Sequence, residues 1–200
     1  MKLGFFGGSF NPPTLAHLEI AKEVLRNKKL DCFYFVPMGN SYSKKNLIDE
    51  NLRLEMLNII CKNEEKIKAS DIELNKKESI NTYQAFELIK EKFKNDDIFF
   101  IMGADNFEKM SYWDNFEKLI KNYKYIIVNR NNIDIEKIIK NNELLKENAK
   151  NFEVMNIKSK YNKISSTLVR EKFAKKDYEN IKEYISEDVA KFIENNRIWN

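Results

Sequence analysis

The chain predicts an α/β fold: a doubly wound parallel sheet with helices on both faces. Three observations carry this. Short apolar runs alternate with runs of helical periodicity along the sequence. Those apolar runs lack a polar alternation, as strands covered on both sides require. Glycine or proline punctuates the ends of the first two strands and of the strongest one, where a parallel strand hands over to its crossover and where such sheets bind ligands.

In order, Leu3, Phe5 and Phe6 mark a first strand, ended by a loop stiffened at Pro12 and Pro13. Leu18, Ile20, Ala21, Val24 and Leu25 recur at helical spacing. Residues 32–36 form the second strand, closed by Pro37-Met38-Gly39. A helix over 51–61 turns Leu52, Met56, Leu57 and Ile60 inward, and 67–69 make a short strand. Residues 82–93 are helical, with Ala85, Phe86, Ile89 and Phe93 on one face. Residues 98–102 are the most apolar strand and end at Gly103. A helix over 113–120, a strand over 125–128, a helix over 133–145 and a strand over 152–157 follow. From Ser166 the pattern is helical to the end. The arrangement is Rossmann-like: one domain over 1–200, with a small C-terminal helical part from about residue 164.

Composition narrows the partners. The hydrophobic share of 42% supports a packed core, and the net charge of +4 is spread among interspersed acids. No single basic stripe marks a nucleic-acid face, so no nucleic-acid partner is expected. No apolar stretch reaches membrane length and no signal peptide leads the chain, so a cytoplasmic protein without a membrane partner is expected. Cys32 and Cys61 are far apart in sequence and lack metal spacing, so no metal site is expected. A homo-oligomer is compatible with the sequence.

Chemistry concentrates after the first strand, in Gly7-Gly8-Ser9-Phe10-Asn11-Pro12-Pro13-Thr14-Leu15-Ala16-His17. Glycines let backbone N–H groups approach phosphate oxygens, and the following helix start presents unpaired N–H groups with a positive dipole end. His17, the one histidine, falls three residues after Thr14, so both share a face at the helix start. The segment fits neither a P-loop nor a dinucleotide fingerprint, lacking Gly-Lys-Ser/Thr and a third spaced glycine.

Other turns carry two readings each. Asp105, after Gly103, either caps a helix or accepts from sugar hydroxyls. Trp113 is either a core aromatic or a platform for a heteroaromatic ring. Ser165, Ser166 and Thr167 cap a helix and also offer hydroxyls and N–H groups to an anion, with Arg170 a turn later either solvated or on the same phosphate. Asn40 and Lys44 stand on the loop after the second strand, where a lysine is either solvated or neutralises phosphate. Asn81 and Gln84 open a helix or offer amides to a ligand, and Arg130 follows the strand ending at Val128.

Gly7 to His17 resembles the nucleotidylyltransferase signature, (H/T)xGH after a GG(S/T)F(D/N)P turn. Gly103 to Trp113 resembles GAD(N/S)…W, and Ile164 to Arg170 matches ISSTxxR at every fixed position. Together they narrow the resemblance to bacterial nicotinate-nucleotide adenylyltransferases. It departs at Thr14 in place of histidine, Ala16 in place of glycine (one methyl beside the phosphates), Ser43 in place of the histidine before Lys44, and Asn81 and Gln84 where threonines bind the nicotinate carboxylate. The resemblance implies adenylyl transfer: the 5′-phosphate of nicotinate mononucleotide attacks the α-phosphorus of ATP, giving deamido-NAD and pyrophosphate. His17, Thr14 and Lys44 are then the catalytic residues. Gly7, Gly8, Ser9, Phe10, His17, Gly103, Asp105, Ile164, Ser165, Ser166 and Arg170 bind ATP. Trp113, Asn81, Gln84, Asn40, Lys44 and Arg130 bind the pyridine mononucleotide, and Mg²⁺ accompanies ATP. Thr14 keeps open a relative that uses nicotinamide mononucleotide or phosphopantetheine, and the departures keep open a non-catalytic nucleotide-binding module.

Overall fold

The computed structural model describes residues 1–40, 46–76, 78–130, 132–158 and 160–199. Among them the strands β1 (Lys2–Gly8), β2 (Cys32–Pro37), β3 (Ile67–Ala69), β4 (Asp97–Gly103), β5 (Lys124–Asn129) and β6 (Phe152–Asn156) form one sheet in the order β3-β2-β1-β4-β5-β6. Every neighbouring pair is parallel, with Leu3 opposite Cys32 and Ile98, and Phe6 opposite Phe35 and Ile101. The chain winds outward from β1 to β3, then returns to β4 and winds the other way. The order therefore reverses between β1 and β4, and the carboxyl ends of those strands diverge to leave a crevice.

Strand period two sorts the side chains into two cores. Leu3, Phe5, Phe100, Met102, Tyr125 and Ile127 face one side, under α3 (Thr82–Lys92), α4 (Ala104–Lys109), α5 (Phe116–Asn122), α6 (Ile135–Lys140) and α7 (Glu143–Glu147). Phe6, Phe33, Phe35, Ile101, Ile126 and Val128 face the other, under α1 (Leu15–Lys28) and α2 (Glu50–Cys61). A third apolar cluster joins Met56 of α2 to α8 (Ser166–Ala174) and α9 (Glu187–Asn195) through Val169, Phe173, Val189 and Ile193. Cys32 and Cys61 are free, buried thiols, and burial pushes the Cys61 thiol up to about 12. Among the described residues no helix is long and apolar enough to cross a membrane.

Three elements differ from their sequence expectation. The helix expected over 113–120 starts at Phe116, because Asn115 takes a left-handed conformation and Trp113 stays extended at φ −82°. The segment 104–109, not expected to be helical, forms α4 with Gly103 as its N-cap. The helix expected over 133–145 is two, since the Asn142 side chain accepts from the Leu145 N–H and restarts the chain as α7. The C-terminal part is likewise interrupted by a 3₁₀ turn at Ile181–Glu183 before α9.

Candidate active site

The loop from β1 to α1 is built from internal anchors. Thr14 is the N-cap of α1 and His17 its third residue, and the two form a capping box with imidazole where glutamate is usual. The Thr14 N–H donates to His17 Nδ1 at 2.9 Å, and the Thr14 hydroxyl lies 2.9 Å from the same nitrogen. An Nδ1 that accepts leaves the proton on Nε2. Burial between Phe10, edge-on at 5.1 Å, and Phe6, at 6.2 Å, pushes the imidazole down to about 4, and the charge of Arg130 pushes it the same way. His17 is thus a neutral Nε2–H donor at neutral pH. Thr14 is 0% exposed, with its backbone N–H and hydroxyl both turned to His17. Ala16 is buried too.

Arg53 of α2, 0% exposed, knits the neighbouring loops. Its guanidinium donates to the carbonyls of Ile48, Ser9 and Met38 and to Asn40 Oδ1 at 2.7–3.1 Å. These bonds hold Ser9 and Phe10 in place, Phe10 at a φ of +44° that a bulky residue seldom adopts. From the other direction α8 clamps the same loop: Ser166 Oγ donates to Pro12 O and Arg170 Nη1 to Asn11 O, each at 2.8 Å.

At the β1–β4 crevice opens a cavity of about 280 Å³. Gly7, Gly8, Met38, Glu73, Thr82, Phe86, Asn106 and Trp113 are among its lining residues. A Cβ on Gly7 would meet nothing within 4 Å, so the cavity is open beside that glycine. A Cβ on Gly8 would lie 2.9 Å from the Phe10 ring, so that glycine makes room for Phe10 and, through it, for His17.

The structure distributes the sequence-predicted residues along one rim and not within a single cavity. Gly7, Gly8 and Trp113 share the crevice cavity. His17 stands behind Phe10, with Arg130 within electrostatic reach. Arg170 and Thr167 line a second cavity of about 580 Å³ with Leu47, Ile48 and Trp199. Half-buried Ile164 leads into Ser165, the N-cap of α8, whose Oγ accepts from the Leu168 N–H. Asn40 Oδ1 accepts from Arg53, and the Asn40 N–H donates to Glu50 Oε2. Asp105 folds back over Gly103, its Oδ1 occupying the place a Cβ there would need. Asn81 and Gln84 turn their amide oxygens to each other's backbone N–H, at 3.0 and 2.9 Å, and do not line the cavity. Thr82, between them, does. Lys44 lies outside the described residues.

Thr82, Glu73, Asn106, Met38 and Phe86 are cavity residues that the sequence reading missed. For two of them a signal existed: Glu73 is a lone acid between Ile72 and Leu74 just past a strand, and Thr82 follows a helix cap.

Comparison with known proteins identifies the family of the chain. A family model described as cytidylyltransferase-like matches residues 5–172. The chain is 32% identical over 199 residues to a probable nicotinate-nucleotide adenylyltransferase of Fusobacterium nucleatum, covering 97% of each chain. It is 32% identical over 203 residues to the nicotinate-nucleotide adenylyltransferase of Bacillus subtilis, covering 99% of this chain and 98% of that one. The solved structure of Plasmodium falciparum nicotinic acid mononucleotide adenylyltransferase complexed with NaAD superposes with a TM-score of 0.83 at 26% identity, covering 99% and 97%.

Proposed function

The chain belongs to the nicotinate-nucleotide adenylyltransferases, enzymes of NAD biosynthesis, and we propose how its residues divide the joining of nicotinate mononucleotide to the adenylyl group of ATP. The carrying observation is the crevice cavity itself, in which a tryptophan, two glycines and the start of α3 meet at the sheet's reversal point. Its volume of about 280 Å³ suits one small-molecule moiety and not two nucleotides.

The pyridine ring stacks on Trp113. Its carboxylate lies at the N-terminus of α3, where Asn81 caps Gln84 and leaves the N–H groups of Thr82 and Tyr83 without intrahelical acceptors. The 5′-phosphate then points along Gly7 and Gly8 toward the α-phosphorus of ATP, whose triphosphate runs beside the loop and the start of α1. An oxygen of the mononucleotide phosphate forms the new bond to that phosphorus, and the bond to the β-phosphate oxygen breaks. The nucleophile is already an anion, so positioning and charge neutralisation carry the reaction. His17 Nε2–H donates to a phosphate oxygen as charge develops on the leaving pyrophosphate, and the bound anions raise its basicity. Thr14 sets the ring's tautomer. Arg130, and Lys44 from the loop after β2, add positive charge. Arg170 positions the loop through Asn11 and offers its remaining donors to phosphate.

Magnesium is proposed to arrive on the triphosphate. The described residues hold no group of three ligating side chains, and this ion commonly keeps waters and is carried by phosphates. Asp105, exposed on the first turn of α4, is the carboxylate able to meet such a water. When bound, the ion would supply positive charge that offsets the charge of the triphosphate.

The test is pyrophosphate release from ATP and Mg²⁺ with nicotinate mononucleotide, nicotinamide mononucleotide or phosphopantetheine as acceptor. Release with the pyridine nucleotides and formation of the dinucleotide are expected. Release with phosphopantetheine alone, or ATP binding without release under every acceptor, would overturn the assignment.

A further inference from the structure

Glu73 is the one ionisable side chain lining the crevice cavity among the described residues. It is 8% exposed, and among the described residues no hydrogen bond reaches its carboxyl group. It cannot easily retreat. The segment bearing it is tied to β2 by the Ser70 N–H on Phe35 O, and to α2 by the Asn75 N–H on Glu50 Oε1. The cation nearest in effect, Arg53, has four of its five N–H donors on Ile48, Ser9, Met38 and Asn40. A buried carboxyl therefore sits, without a donor of its own, in the cavity that receives the pyridine ring.

The acid and amide forms of that ring are nearly the same shape. They differ in that one presents a carboxylate and the other an amide with two N–H donors. An ionised Glu73 repels the first and accepts from the second. A protonated Glu73 donates to the first and offers the second less. We infer that Glu73 is the specificity-determining residue of the pyridine pocket, its protonation state setting the preference between acid and amide mononucleotides. The inference rests on the placement of the ring under Proposed function.

Burial lifts the Glu73 carboxyl to about 7, with Arg53 opposing the rise. The other charges near it come from α2, where Glu50 and Asp49 act on Arg53. Asp71, Lys76 and Glu78 on its own segment are exposed, and no charged side chain of β1, β4, α3 or α4 lines the cavity. The substrate phosphate also titrates near 6, but identically in both mononucleotides, so it cancels in their ratio.

The experiment measures kcat/KM for nicotinate and nicotinamide mononucleotides from pH 6 to 8.5, by pyrophosphate release, in the wild type and in Glu73→Gln. In the wild type the acid-to-amide ratio is expected to fall by at least about thirtyfold, and by at least about tenfold per unit well above the carboxyl's midpoint. In the variant it stays flat within about twofold. A pH-independent wild-type ratio, or the same slope in the variant, overturns the inference while leaving the adenylyltransferase reading intact. No pyrophosphate from either mononucleotide would bring down both. Should the variant fold poorly, calorimetry on the wild type at pH 7.5 in two buffers of different ionisation enthalpy decides. Proton uptake on binding the acid and not the amide supports the inference, and equal uptake refutes it.

Discussion

His17→Gln tests the electrostatics of the site in isolation, because this is the chain's one imidazole. The ring titrates at about 4 in the folded protein and about 6.5 in an unfolded chain. Between those values the unfolded chain binds a proton that the folded one refuses, so stability falls as pH drops from 6.5 toward 4. The loss is about 3 kcal/mol when complete. Glu73 acts with the opposite sign. Its folded midpoint near 7 exceeds the ordinary value of 4.5, so its neutral form is favoured by folding and stability falls as pH rises from 4.5 toward 7. The two slopes oppose each other over the same window, and neither is visible in the wild type alone. Urea denaturation at pH 4.5, 5.5, 6.5 and 7.5 separates them. Relative to wild type, His17→Gln should gain roughly 2–3 kcal/mol at pH 4.5 compared with pH 7.5. Its turnover should drop on the order of a hundredfold or more at every pH. Proton NMR of the wild type gives a direct check, since the lone imidazole needs no assignment. A midpoint between 6 and 7 in the ligand-free protein would refute the burial argument, and wild-type turnover in the variant would remove His17 from catalysis.

Gly7→Ala should melt within a degree or two of wild type yet raise the KM for the mononucleotide, since its methyl meets cavity and not protein. Gly8→Ala should lower both melting temperature and kcat, because it displaces Phe10 and with it His17; equal behaviour of the pair would contradict the assignment. Trp113→Ala should raise the mononucleotide KM about tenfold, the equivalent of one lost stacking contact, with the ATP KM nearly unchanged; the reverse pattern would move the indole to the adenine side. Arg53→Lys keeps the charge but not the fork. It should lose about 2–4 kcal/mol in urea denaturation by leaving buried carbonyls unpaired, and a loss under 1 kcal/mol would show that water replaces those bonds.

Sequence pattern made the sheet legible because strands buried on both sides write continuous apolar runs, and because glycine and proline punctuate their ends. The signature turn was legible for the same reason: its constraint is local, from Gly7 to His17. What escaped the sequence depends on contacts between distant segments. Trp113 lies outside the helix because the left-handed Asn115 delays its start to Phe116, a conformation that periodicity does not encode. Asn81 and Gln84 read as either helix starters or ligand amides, and the structure uses both in the helix cap, while Thr82 beside Asn81 lines the cavity. Arg53 reads as one charged position on an amphipathic helix; only the fold shows two loops, after β1 and after β2, converging on it. Glu73 could be noticed as an acid among apolar neighbours, but its place in one cavity with Trp113 needs the crossover from β3 to β4.

The clamp from α8 bears on how the chain is made. Asn11 and Pro12 leave the ribosome early, but the donors that close on their carbonyls, Ser166 and Arg170, follow more than 150 positions later. At ordinary rates of translation that interval is roughly ten to thirty seconds. Throughout it the nascent sheet carries its phosphate turn half-bonded, so competence for nucleotides should switch on late in synthesis, when the last helices dock.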